Sequence, residues 1–204
     1  MQFRLTYEGE LMSRGGGLPH KHRIRQSFHR QLKRFWDIHP GLAHWKKPRS
    51  HEVFEPEASQ MRGWSHLDWL AENYKRGDYR FVPLAREFWR PVVSLEILFL
   101  RSGIPGELVR SADLDGRLKT LIDALRMPTD GQEMKPLPAP ESGENPFYCL
   151  MEDDKLVGNV SVTTDTLLEP TPESNGIHDT HDARIVVAVT IKNYGGFGWG
   201  SPFS

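Results

Sequence analysis

Between Val92 and Arg101 the chain alternates without a break. Val93, Leu95, Ile97 and Phe99 fall on one side, and Ser94, Glu96, Leu98 and Leu100 on the other. A period of two belongs to a β-strand, so this segment has to lie in a sheet with one face turned to a core. Tyr79 to Ala85 reads as a second strand just ahead of it, placed as the other arm of a hairpin. Gln2 to Tyr7 is a short strand with Phe3, Leu5 and Tyr7 on one face, and Val157 to Thr163 and Ala183 to Lys192 are further strands.

Between these segments the period becomes helical. From Lys21 to Trp36 the residues Ile24, Phe28, Leu32 and Phe35 form an apolar stripe. From Ser65 to Arg76 the residues Trp64, Leu67, Leu70 and Tyr74 share a side, Ser65 and Asp68 have capping-box spacing, and Gly77 ends the helix. From Asp115 to Arg126 the stripe is Leu118, Leu121, Ile122 and Leu125, stopped by Pro128. Strands and helices interleave along 204 residues, which predicts a mixed α/β (α+β) chain with one substantial core. The expected organisation is one domain over 1–193, with a basic helical elaboration at about 18–78. Residues 129–147, rich in Pro, Gly and Glu, are expected to loop out as an insertion, and 194–204 form a Gly-rich tail.

The hydrophobic share is 38% and the charged share 26%, an ordinary globular balance. No apolar run approaches the roughly 18 residues that a membrane span needs. The N-terminus becomes charged at Glu8 and Glu10, with no apolar secretory segment. Cys149 is the single cysteine, which rules out an internal disulfide and a cysteine zinc cage. These features predict a cytoplasmic protein.

The net charge of -1 conceals an asymmetry. Residues 1–50 hold 11 Lys/Arg against 3 Asp/Glu, and the remaining 154 residues hold 15 and 24. The basic end is a candidate contact for a polyanion such as DNA, through Lys21, Arg23, Arg25, Arg30, Lys33 and Arg34 on the first helix. Residues 130–182 carry 12 acids and 2 Lys/Arg, so cation attraction is expected there.

Two acidic motifs carry chemistry. In Asp113-Leu114-Asp115-Gly116-Arg117-Leu118-Lys119 an extended chain would project both carboxylates from one side. Lys119 would return to the same spot one helical turn after Asp115. Hard cations such as Mg²⁺ use one or two carboxylates plus substrate phosphate, so the pattern suits a metal held against a phosphodiester. The second motif is Glu152-Asp153-Asp154, leading into a strand at Val157. His20-x-His22 and His178-x-x-His181 have ligand-like spacing but no cysteine partner, and zinc is not assigned to them.

Asp113-Leu114-Asp115-Gly116-x-x-Lys119-x-x-x-Asp123-Ala124-Leu125, followed by Glu152-Asp153-Asp154-x-x-Val157, resembles the RusA family of Holliday-junction resolvases over about 50 residues. The resemblance implies a small mixed β-sheet flanked by helices and a homodimer. It also implies an Mg²⁺-dependent endonuclease (Mn²⁺ as a substitute) that hydrolyses phosphodiesters in branched DNA. It assigns Asp113, Asp115 and Asp154 as metal ligands and Lys119 as the catalytic lysine. Arg117, beside the motif, joins the expected DNA contacts. Gly116 stands where the family has Asn, and the segment between the motifs is longer than in compact members. A second reading, prompted by Gly116, is a DNA-binding protein of the same fold without efficient catalysis. A third is a phage or mobile-element accessory protein with a protein partner, which requires an exposed apolar patch near Trp36 or Trp45.

Overall fold

A computed structural model describes residues 1–13, 17–47, 63–102, 113–172 and 181–194. Residues 103–112, His178 and the Gly-rich tail from 195 lie outside the described residues, as does the side chain of Asp113. The chain is mixed α/β, with two mixed sheets and flanking helices.

Among the described residues seven strands form the sheets: β1 (Gln2–Glu10), β2 (Lys75–Arg76), β3 (Tyr79–Ala85), β4 (Pro91–Arg101), β5 (Phe147–Met151), β6 (Val157–Thr166) and β7 (Asp182–Asn193). The larger sheet has the order β1-β7-β4-β6, with β7 antiparallel to both neighbours and β6 parallel to β4. The smaller has the order β2-β3-β5, with β3 and β5 parallel. The helices are α1 (Gly17–Ile38), the single turn α2 (Pro40–Ala43), α3 (His66–Asn73) and α4 (Asp113–Leu125).

β4 behaves as its alternation requires: Val93, Leu95, Ile97 and Phe99 are buried. They meet Leu5 and Tyr7 of β1, the inward residues of β7, Ile24, Phe28, Leu32 and Trp36 of α1, and Leu121 and Leu125 of α4 in one core. Each such side chain contributes about 1.5–3 kcal/mol by leaving water. Phe35 lies beside this stripe and stacks on Phe3 at 4.2 Å between centroids. α1 is therefore part of the main core.

The expected hairpin between the second and third strands does not form, because β3 and β4 belong to different sheets. The break is the 3-10 turn Glu87–Trp89, followed by Arg90 in left-handed backbone at φ 46°. α3 keeps both halves of the Ser65–Asp68 capping box but stops at Asn73. Gly77 sits instead in the tight β2–β3 turn at φ 60°, a conformation that glycine adopts without Cβ strain. β5, buried at all five positions, gives no alternation to read.

The segment 129–147 does not loop out. It lies along α1, where the Gly143 carbonyl accepts from Lys33 Nζ at 2.8 Å and pairs with His29 Nε2 at 3.1 Å. Gln26 donates to Glu144 at 2.6 Å, and Tyr79 Oη donates to the Pro138 carbonyl at 3.1 Å. Met134 joins Tyr79, Phe81, Met127, Phe147 and Cys149 in a second small core. No helix among the described residues is long and apolar enough to cross a membrane.

Candidate phosphate-binding cleft between two helices

α4 begins at Asp113, so the stretch from Asp113 to Asp115 is helical and not extended. Residues two apart on a helix are about 200° apart around the axis, and the shared-face expectation for this pair does not hold. Residues four apart do share a face. Asp115, Lys119 and Asp123 line one cleft of about 530 Å³, together with Gly116 and Thr120. The opposite wall is the start of α1, with Gly17, Leu18, His20 and Lys21, and the end of the β1 segment, Met12 and Ser13.

Asp115 and Lys119 are exposed and make no ion pair among the described residues. Asp123, at the inner end of the row, is nearly buried and differs from them. Its carboxylate takes Lys21 Nζ at 2.7 Å and Arg126 Nε at 3.3 Å. Burial opposes its ionisation, but the hydrogen bond and charge of Lys21, with Arg126, outweigh that and hold the carboxyl below the usual carboxylate range. His20 receives the Met12 N–H on Nε2 at 3.2 Å. Burial, then the charge of Arg23, lowers its pKa, so the ring is neutral in the cleft wall.

Gly116 has a steric reason to be glycine. A β-carbon there would lie 2.7 Å from Cβ of Ser13 and 3.4 Å from its Cα. The asparagine expected from the resemblance does not fit while Ser13 packs on this turn of α4.

Asp154 does not reach this cleft within one chain. It lies in the 3-10 turn Asp154–Leu156, directly before Val157, which pairs with Val93 at the start of β4. The cleft lies at the other end of the sheet. Ser13 follows Glu10, which pairs with Asp182, and Arg101 at the end of β4 pairs with Ala183. Eight residue steps of β4 separate the two ends, about 26 Å at the usual strand rise. Asp154 is exposed, its neighbour Lys155 pairs with Glu87, and Asp153 caps the turn by accepting the Lys155 N–H at 2.9 Å. The intervening segment packs along α1, and the Met127 N–H donates to the Met151 carbonyl at 2.8 Å, which ties the end of β5 to the residues just after α4.

The expected DNA contacts divide in the same way. Arg25 is 1% exposed; its Nη2 donates to the Asp123 carbonyl at 3.0 Å, and Glu133 lies at 3.8 Å. Arg117 is 2% exposed and meets His181 Nδ1 at 3.3 Å. Both are inside the protein and cannot contact a phosphate at the surface. Lys33 is engaged by Gly143 and Lys21 by Asp123. Arg23, Arg30 and Arg34 remain exposed, with no ion pair among the described residues. At helical spacing they fall in one stripe about 40° wide, roughly 16 Å long.

Among the described residues no group of three His, Cys, Asp or Glu side chains converges on a point. Of the expected carboxylates, Asp115 and Asp154 are at opposite ends of the sheet and do not come together within one chain. Mg²⁺ asks less than that when phosphate and water fill its other positions. Asp115 is the exposed carboxylate that the cleft offers to such a cation. His20 Nε2 accepts the Met12 N–H and His22 Nε2 meets Tyr79 Oη, each at 3.2 Å. Trp36 and Trp45 themselves are buried, and of the described apolar residues close to them in sequence Ile38 is exposed. No family model, no curated protein and no solved structure matches the chain.

Proposed function

We propose that the chain is an Mg²⁺-dependent endonuclease acting on branched DNA, with its phosphodiester site in the cleft between α1 and α4, and that it acts as a homodimer. One observation carries the reading. Asp115 and Lys119 stand one helical turn apart, unpaired among the described residues, in an open cleft at the head of the basic helix α1. The likeness of the motif from Asp113 to Leu125 to RusA resolvases supports it.

In this reading Asp115 supplies the carboxylate of the cleft that would hold the cation, with phosphate and water filling its other positions and Mn²⁺ an acceptable substitute. Bound there, Mg²⁺ supplies a water of lowered pKa and a positive charge beside the attacked phosphate. Lys119 balances the charge that develops on the phosphate oxygens. Arg23, Arg30 and Arg34 hold the DNA backbone along the outer face of α1. A second reading, DNA binding without efficient cleavage, is favoured by the position of Asp154 at the far end of the sheet.

Cleavage of a four-way junction in Mg²⁺, compared with linear duplex and single strands, separates the two. Nuclease action requires junction cleavage that EDTA stops and that Asp115→Asn abolishes. Binding of the junction with no cleavage supports the second reading. Equal cleavage by the variant points to a contaminant and removes the proposal.

A further inference from the structure

We infer that Lys21 is a second phosphate-binding cation of the cleft and that Asp123 is the positioning residue that holds it there. The inference deepens the proposed reading of the cleft and rests on it. Lys21 comes from α1 and Lys119 from α4, so two ammonium groups face one space from opposite walls. A phosphate has oxygens enough to meet both, whereas a neutral ligand would gain nothing from the pair.

Lys21 alone would be a flexible surface lysine. Its contact with Asp123 at 2.7 Å changes that, since the side chains are only 19% and 11% exposed. Asp123 is itself fixed from two further directions: Arg126 Nε on its other oxygen at 3.3 Å, and Arg25 Nη2 on its carbonyl at 3.0 Å. An ammonium has three donors, and Asp123 takes one, leaving two for an anion. With their ion-pair partners counted, Lys21, Arg25 and Arg126 against Asp123 and Glu133 leave one excess positive charge, so the pairing orients Lys21 without cancelling the attraction for phosphate.

Calorimetric titration with inorganic pyrophosphate, without metal, tests this apart from catalysis. Lys21→Ala should weaken pyrophosphate about tenfold, as expected for loss of one charge-assisted bond, and Lys21→Arg should retain most of the affinity. Asp123→Asn should weaken it in the native background yet have no further effect in the Lys21→Ala background, because it acts through Lys21. Thermal unfolding of each variant separates misfolding from loss of the site. Wild-type protein that ignores pyrophosphate, Lys21→Ala binding as tightly as wild type, or equal losses from Asp123→Asn in both backgrounds would overturn the inference. If the pyrophosphate pattern holds and the junction is not cut in Mg²⁺, the nuclease reading fails and the two-lysine site stands.

Discussion

A β-carbon placed on Gly116 would lie 2.7 Å from Cβ of Ser13, closer than two carbons pack without one moving. The first turn of α4 and the chain leaving β1 thus pack closely, and both residues line the cleft. Gly116→Ala gains helix propensity of about 1 kcal/mol, but overpacking costs about 1–3 kcal/mol. The expected outcome is a lower urea midpoint for Gly116→Ala, with most of the loss recovered in the Ser13→Gly double variant. A stabilised Gly116→Ala would show that the contact is not tight.

Arg25 and Arg30 are on the same basic helix and should behave oppositely. Arg25→Ala removes a buried guanidinium and its bond to the Asp123 carbonyl. A loss of about 2–4 kcal/mol in denaturant unfolding is expected, with the salt dependence of DNA binding unchanged. Arg30→Ala should leave stability within about 0.5 kcal/mol and lower the slope of log K against log salt by about one. The same slope change is expected for Arg23→Ala and Arg34→Ala.

What could be read in the sequence was whatever depends on periodicity. The alternation in β4, the apolar stripe of α1 and the Ser65–Asp68 capping box all reflect local rules that act in any context. β5 escaped because a strand buried on both faces is a short apolar run with no period. The path of 129–147 escaped for a different reason. It is held by the carbonyls of Gly143 and Pro138, and carbonyls are the same in every residue. The candidate site divides along the same line. Asp115 and Lys119 are local to one helix and came together as their spacing required. Asp154 depended on where a long intervening segment ran, and that segment leads it to the opposite end of the sheet.

Acid should loosen the contact of α1 with the smaller sheet. Burial, followed by the charge of Arg25, lowers the pKa of His22 to about 4. Burial also lowers that of His29, whose Nδ1 accepts the Tyr148 N–H at 2.8 Å. A histidine with a folded pKa below its unfolded value of about 6.5 contributes stability that is complete above pH 6.5. That stability is lost as pH falls toward 4. The urea midpoint should therefore be flat from pH 8 to 7 and fall steadily between pH 6.5 and 4. His22→Phe should fall less steeply; an identical slope would show that His22 is not among the groups responsible.

The measurement that bears most directly on the cleft is single-turnover cleavage of a four-way junction at saturating Mg²⁺ by three variants. Asp115→Asn and Lys119→Ala are expected to lose at least about 100-fold in rate, the scale of removing a group that stabilises developing charge. Asp154→Asn, about 26 Å away along β4, is expected to stay within about threefold of the native protein. Full loss of cleavage in Asp154→Asn, with native rates in the two cleft variants, would contradict the assignment of the site.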